Sequence, residues 1–347
     1  MHRRPRSRFA LLAAGLLAAA TACSSGGGAG ATANAGSDKG GSGGTVRVMM
    51  YPAQSYRLPV LLAQEKGLFK KHGLKLDITE QPANLQGMQG LSATKSDVGI
   101  VTVGTLGQGW QAGTKGAFFC GGINVLQTTL MAPVNSKLPS TKDGADWKTV
   151  LKSLEGKKVG IQTPVGSGLQ LIFAEALKEA GVKNVTYVNL GGGSSAALAA
   201  LKKGSVDVAQ LNPTGTQFAQ YAKSGKPLLY MPDGPKAYKD YYGSGWVGTE
   251  SFLKQHPQTA KAFCDTLGES LKLLRNNADR DAALKILTED AGVTKPVAEL
   301  VLDDTYADFD THLDKATLTT TLDAYVRLGI LKHQPKPTWD ALVDVPK

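Results

Sequence analysis

The sequence predicts an α/β protein of two similar lobes, each a mostly parallel sheet flanked by helices, with a cleft between them. Three observations carry this. Strand-like apolar runs alternate with amphipathic segments twice over in one order: strand, helix, glycine, strand, helix, strand. A local phrase recurs, with Thr94-Lys95-Ser96-Asp97-Val98-Gly99 answered by Lys203-Gly204-Ser205-Val206-Asp207-Val208-Ala209, one residue longer. About 300 residues follow a low-complexity leader, too many for one small core and enough for two lobes.

The leader comes first. Arg3, Arg4, Arg6 and Arg8 form a basic start, and Phe9 to Ala22 is apolar. That run of 14 residues falls short of the roughly 20 that a membrane-spanning helix needs, so residues 1–22 read as a signal peptide. Cys23 follows Ala20-Thr21-Ala22 and precedes two serines. This resembles a bacterial lipobox, whose cysteine is acylated, although Ala20 stands where leucine is usual. The same three residues read as an A-x-A site for ordinary cleavage, which would leave a soluble secreted protein. Residues 23–44 are a Gly/Ser-rich tether with nothing to bury, hence disordered, with a reach of roughly 25 Å. A tether has a use if its end is anchored, which favours a lipid on Cys23 and a place on the outer face of the cytoplasmic membrane.

The formal net charge is +10. Four arginines of that sum lie in the signal, leaving about +6, which suits a mildly positive surface or an anionic ligand. No basic block or aromatic-basic alternation points to nucleic acid. Beyond Cys23 there are two cysteines, Cys120 and Cys264. In an exported chain an even pair suggests a disulfide. Cys264 also sits on an apolar helical stripe with Phe263, Leu267 and Leu271, where a buried free thiol would pack.

Taken in order, Val46 to Met50 is a buried strand, Pro59 opens a helix, and Leu74, Leu76 and Ile78 alternate as a strand does. A helix near Leu85 to Ala93 precedes a strand, Asp97 to Val101. In the second unit Lys158 to Ile161 is a strand and Gly168 to Ala180 a helix with Leu169, Ile172, Phe173 and Leu177 on one face. Val185 to Leu190 is a strand, Ser194 caps a helix over Ala196 to Leu201, and Val206 to Leu211 is a strand. From Trp246 onward the chain is largely helical and must return to the first lobe to find a sheet. The expected division is lobe 1 over 45–138, lobe 2 over 139–240 and the return over 241–347.

The stretch Leu58-Pro59-Val60-Leu61-Leu62-Ala63-Gln64-Glu65-Lys66-Gly67-Leu68-Phe69-Lys70-Lys71-His72-Gly73-Leu74 resembles the segment after the first strand in substrate-binding proteins of ABC importers of the nitrate/sulfonate/taurine class. That class includes receptors for thiamine-pyrimidine precursors. Ser96-Asp97-Val98-Gly99-Ile100, Leu154-Glu155-Gly156-Lys157-Lys158-Val159-Gly160, Gly204-Ser205-Val206-Asp207-Val208 and Ser251-Phe252-Leu253-Lys254-Gln255-His256-Pro257 agree in order and spacing. The resemblance implies a type II-like periplasmic-binding-protein fold with two crossovers, a small-molecule ligand in the interlobe cleft, and delivery to an ABC permease with its ATPase. A monomer is expected, with no cofactor and no metal.

Cleft residues should come from loops at the carboxyl ends of strands. After the first strand these are Tyr51, Gln54, Tyr56 and Arg57. Arg57 could grip a sulfonate or carboxylate with two hydrogen bonds, or face solvent beside the helix. Thr102 and Thr105 follow the Asp97 strand. Thr163, Gly166, Ser167 and Gly168 lead into a helix whose N–H groups and dipole make an anion seat, unless Ser167 only caps it. Asn212, Thr214, Tyr242 and Trp246 lie near the crossovers; Trp246 could equally be core. The ligand expected is a small organic anion, with a pyrimidine-type precursor as the alternative. An enzyme like the pyrimidine-precursor synthases is the rival class, but the histidines are scattered and no Cys cluster or nucleophile elbow is present. A lipoprotein presenting ligand to a sensor kinase is a further alternative.

Overall fold

In the computed structural model, residues 44–51, 55–80, 87–93, 95–191 and 193–347 are described. The signal, Cys23, the tether up to residue 43, and Gln54 lie outside the described residues. Ten strands are named in chain order: β1 (Gly44–Met50), β2 (Leu74–Glu80), β3 (Val98–Thr102), β4 (Gly116–Ile123), β5 (Thr129–Ala132), β6 (Lys158–Ile161), β7 (Thr186–Asn189), β8 (Val208–Leu211), β9 (Lys226–Tyr230) and β10 (Ser244–Thr249).

They form two five-stranded sheets of one topology, β2-β1-β3-β10-β4 and β7-β6-β8-β5-β9. The expected strand–helix units supply the parallel part of each, β2-β1-β3 and β7-β6-β8. The fourth strand of each runs antiparallel, because it enters from the other lobe. β5 leaves the first sheet to complete the second, and β10 comes back to complete the first. The sheet therefore changes between Ile123 and Thr129, well before the expected boundary at residue 138.

The repeated phrase has a structural reason. The Arg47 backbone N–H donates to Asp97 Oδ2 (2.9 Å), and the Asp97 N–H returns to the Arg47 carbonyl (2.8 Å). In the second lobe the Lys158 N–H donates to Asp207 Oδ2 (2.8 Å), and the Asp207 N–H to the Lys158 carbonyl (2.8 Å). Each aspartate thus registers the start of a third strand against the first. The residue two places before Asp97 is Lys95, at φ 53°, and its counterpart is Gly204, at φ 69°. Both turns need a left-handed residue, and only the second has the glycine that adopts it freely.

The two crossovers run against each other. Gly243 N–H donates to the Ile123 carbonyl (3.1 Å) and Met231 N–H to the Thr128 carbonyl (2.8 Å). A Cβ on Gly243 would sit 2.3 Å from the Val125 carbonyl oxygen, so no other residue lets the segments meet so closely. Tyr238, Tyr241 and Tyr242 of the second crossover carry one apolar core from Phe118 and Tyr325 through to Phe173 and Leu177.

The helices that follow β10 pack on the first sheet. The Pro257–Arg275 helix lies against the Arg57–Glu65 helix, where the Ser270 hydroxyl donates to the Pro59 carbonyl (2.7 Å). A Cys120–Cys264 disulfide (S–S 2.03 Å) joins that helix to β4. The helix expected over Ala196 to Leu201 begins earlier, at Gly193, so Ser194 lies inside its first turn instead of capping it. β4, β5, β9 and β10 are not read as strands from the sequence, and the stretch from Trp246 to Thr249, expected to begin the helical return, belongs to the strand β10.

Two outcomes follow. The disulfide spans 144 residues, and a loop of that length is worth up to about 5 kcal/mol in the chain-entropy model. Reductant should therefore lower the unfolding free energy by about 2–5 kcal/mol in urea titrations. Lys95→Gly should raise stability by up to about 1 kcal/mol in the same assay, by relieving the left-handed lysine.

Candidate functional site

The loops at the strand ends meet along the seam between the lobes, and one unexpected side chain marks where. Ile330 follows Gly329, a left-handed residue at φ 73° that turns the chain after the Lys315–Arg327 helix. A Cβ built on Gly168 would meet Ile330 Cγ2 at 3.2 Å, and one built on Gly104 would meet the same carbon at 3.6 Å. These glycines begin helices of different lobes, Val103–Gln111 and Gly168–Glu179. The two glycines let Ile330 pack closely against both helix starts. The segment that carries it is stitched to the first of these helices: Gln108 Nε2 donates to the Ile330 carbonyl (3.1 Å), and Gln111 Nε2 to those of Lys332 and Pro335 (both 2.8 Å). No local pattern in the sequence announces this strap, because its partners lie more than two hundred residues away.

The two helix starts differ in one chemical respect. Thr102 caps its helix: its hydroxyl accepts from the Thr105 N–H (3.2 Å) and lies 2.9 Å from the Thr105 hydroxyl. Ser167 occupies the corresponding N-cap place with extended backbone, yet makes no side-chain cap. Its hydroxyl donates instead to Thr163 Oγ1 (2.8 Å), while Gln170 Oε1 reaches back to accept from the Gly166 N–H (3.0 Å). The first-turn N–H groups of the Gly168–Glu179 helix are left for another acceptor, at the positive end of a twelve-residue helix dipole.

After β8, Asn212 is exposed and its Nδ2 donates to Gln162 Oε1 (3.2 Å), while Gln162 Nε2 holds the Gln210 carbonyl (2.8 Å). Gln162, which the sequence reading passed over, thus ties together the loops that carry Thr163 and Asn212. Thr214 has φ 73° and ψ −53°, a costly conformation for a β-branched residue. It is held there by its N–H to Gln217 Oε1 (2.8 Å).

The other candidates have structural partners. Arg57 is 6% exposed and its guanidinium is spent: Nε lies 2.8 Å and NH2 2.6 Å from the Asp290 carboxylate, NH2 is 3.3 Å from Glu80, and NH1 donates to the Tyr51 carbonyl (3.3 Å). The Tyr56 hydroxyl accepts from the Tyr51 N–H (2.7 Å), and burial pushes its ionisation far up. Together they shape the loop after β1. Trp246 is 3% exposed within β10, edge-on to Phe263 at 5.2 Å and to Tyr56 at 6.4 Å. Tyr242, 1% exposed, accepts from the Gly122 N–H (3.2 Å). Tyr56, Tyr242 and Trp246, expected among the cleft residues, are therefore interior packing, and for Trp246 the core reading is the one that holds. Tyr56 and Trp246 line a cavity of about 10 Å³, room for no more than a water.

A wider groove of about 780 Å³ runs elsewhere along the seam, lined by Glu175, Lys178, Lys236, Tyr241, Asp323 and Arg327 among others. There the Tyr241 hydroxyl donates to Glu175 (2.8 Å), and Arg327 pairs with the same carboxylate. None of the expected ligand residues lines it.

The comparisons with known proteins fit this geometry. Residues 54–280, well over half of the chain, match the family model described as NMT1/THI5 like. The chain belongs to that family. No curated protein matches it. Among solved structures it is similar to the periplasmic aliphatic sulphonate binding protein SsuA from Escherichia coli, with TM-score 0.67, 18% identity, and coverage of 87% of this chain and 92% of that one. The alkanesulfonate-binding SsuA from Xanthomonas axonopodis pv. citri, bound to MOPS, gives 0.61 at 20% identity over 83% and 94%. The nitrate-binding NrtA from Synechocystis PCC 6803 gives 0.62 at 16% over 84% and 83%. The fold is the two-lobed periplasmic-binding-protein fold. Among the described residues no helix is long and apolar enough to cross a membrane.

Arg57→Ala should cost about 3 kcal/mol of stability, since it strands Asp290 beside a buried site. A urea titration of the variant without ligand checks this; a guanidinium reserved for ligand would leave stability unchanged.

Proposed function

We propose that this protein is an extracytoplasmic solute receptor that captures a small organic anion, sulfonate- or carboxylate-like, in the seam between its lobes. It then delivers that solute to an ABC permease. The observation that carries the reading is the uncapped start of the Gly168–Glu179 helix, placed against Gly104 of the other lobe. Such a helix end offers several N–H donors and a favourable dipole to an anion. Ile330, standing beside it, offers an apolar wall to the body of an organic ligand. Family membership and the neighbours' sulfonate- and nitrate-binding names support the same class. The signal-like leader, Cys23 and the Gly/Ser tether support export and a lipid anchor that leaves a monomeric body free to face its permease.

Thermal unfolding of the body from Thr45 against alkyl and aryl sulfonates, nitrate, carboxylates, pyrimidines and amines tests this. A ligand at a hundred times its Kd should add about 2.7 kcal/mol. A response restricted to pyrimidines or amines would keep a receptor and remove the anion. Ser167→Asp sharpens the test. A carboxylate at that N-cap should hold or slightly raise stability while weakening anion binding at least tenfold, by charge repulsion and by filling the seat. Unchanged affinity would place the anion elsewhere.

A further inference from the structure

Where the two crossovers meet the end of a return helix, the protein buries polar side chains that its own hydrogen bonds leave partly unsatisfied. Three buried side-chain oxygens have no hydrogen-bond partner among the described residues: Asn124 Oδ1, Gln127 Oε1 and Thr305 Oγ1. The residues that carry them are joined to one another and to Asp308 through their other polar atoms. Gln127 Nε2 donates to the Thr305 carbonyl (2.8 Å) and to Asp308 Oδ2 (3.1 Å), and the Asn124 N–H donates to the Asp308 carbonyl (2.9 Å). Both contacts of the Gln127 nitrogen are acceptors, so its amide cannot be turned round and its oxygen is a true orphan. Thr305 is 1% exposed, which removes bulk water as the partner of its hydroxyl.

The charge around the patch has one sign. Asp308 already accepts from the Tyr230 hydroxyl (2.5 Å) and from Gln127. Asp233 lies close enough that burial and the negative charge of Asp308 raise its carboxyl. Asp304 is exposed and meets Gln217 Nε2 at 3.5 Å. Among the described residues no lysine, arginine or histidine pairs with Asp233, Asp304 or Asp308. The Lys295–Thr305 helix ends here, has no basic residue in its last turn, and so turns the negative end of its dipole to the same place. Asp233 and Asp304 are exposed and solvated, so the cost lies with the three buried oxygens.

We propose that this junction is a seat for a small monovalent cation, either a metal ion or an ammonium group, held by Asn124, Gln127, Thr305 and Asp308. Oxygen donors of amide, hydroxyl and carboxylate type suit a hard cation. The four side chains offer two amide oxygens, a hydroxyl and one carboxylate, a set whose single negative charge matches a singly charged ion. The patch joins residues of the first crossover, the end of β9 and the helical return. A cation here would bind the lobes together where the chain passes between them, separately from the anion seat at Gly168.

Thermal unfolding of the full mature chain tests the seat, in choline, sodium, potassium, ammonium and methylammonium chlorides at equal ionic strength. Choline is too large for a buried seat and serves as the reference. At least one small cation should raise the midpoint above choline, and at a hundredfold excess over its Kd the folding constant should rise about a hundredfold. Asp308→Asn should abolish that difference. Thr305→Val should stabilise the protein in choline, by removing an orphan hydroxyl, and diminish the gain from the cation. A response to sodium or potassium identifies a resident metal ion, and a response to ammonium and methylammonium alone identifies the ammonium group of a ligand. Equal midpoints in all five salts, or a difference that survives Asp308→Asn, would overturn the proposal. None of these readings requires an anionic ligand, so the two proposals fail separately.

Discussion

The exchange of one strand between the lobes is the constraint on which the rest of the structure depends. Neither sheet is complete until the chain has crossed: β5 fills the fourth place of the second sheet and β10 the fourth place of the first. Both crossings run through one junction, paired by Gly243 with Ile123 and Met231 with Thr128. Because a strand inside a sheet is fixed by hydrogen bonds on both sides, each lobe is pinned to the junction by its own interior. The strand ends that carry Thr102, Thr163 and Asn212 are thereby all positioned from one place.

That geometry explains the division of labour among side chains. Residues close to the junction or inside the sheets, such as Tyr242 and Trp246, are consumed by packing, since an interior strand of a covered sheet offers its side chains to helices on both faces. Residues just past the strand ends are free of the ladder and can serve a ligand. Arg57 stands between these groups: it follows a strand end, but Asp290 on the return helices claims it. The charge that suits a ligand-binding arginine also suits a buried ion pair, and the return of the chain decides between them.

The junction itself is more polar than a covalent connection between two cores requires. Tyrosines 238, 241 and 242 fill its apolar side. Its other side holds the buried oxygens of Asn124, Gln127 and Thr305, with Asp308 beside Gln127. An apolar filling of the same volume would avoid the desolvation cost, so polarity retained there is consistent with a bound partner.

Much of the architecture was legible from the sequence by itself. Periodicity marked β1, β3, β6 and β8 and the helices between them, and the repeat of Ser-Asp-Val with Ser-Val-Asp-Val marked two equivalent units, because an aspartate that registers one strand against another acts through local backbone. The pairing of Cys120 with Cys264 was one of two open readings, and the loop glycines and Ser167 were visible as a helix start. The tertiary structure alone decided what those residues touch. The burial of Trp246, the ion pair of Arg57, the placement of β5 in the second sheet, and the wedge of Ile330 between Gly104 and Gly168 all involve partners far along the chain. A local pattern records the period and the turn, which are set by neighbouring residues. It holds no record of which distant group will arrive to claim a charge, cover a ring or fill the space above a glycine.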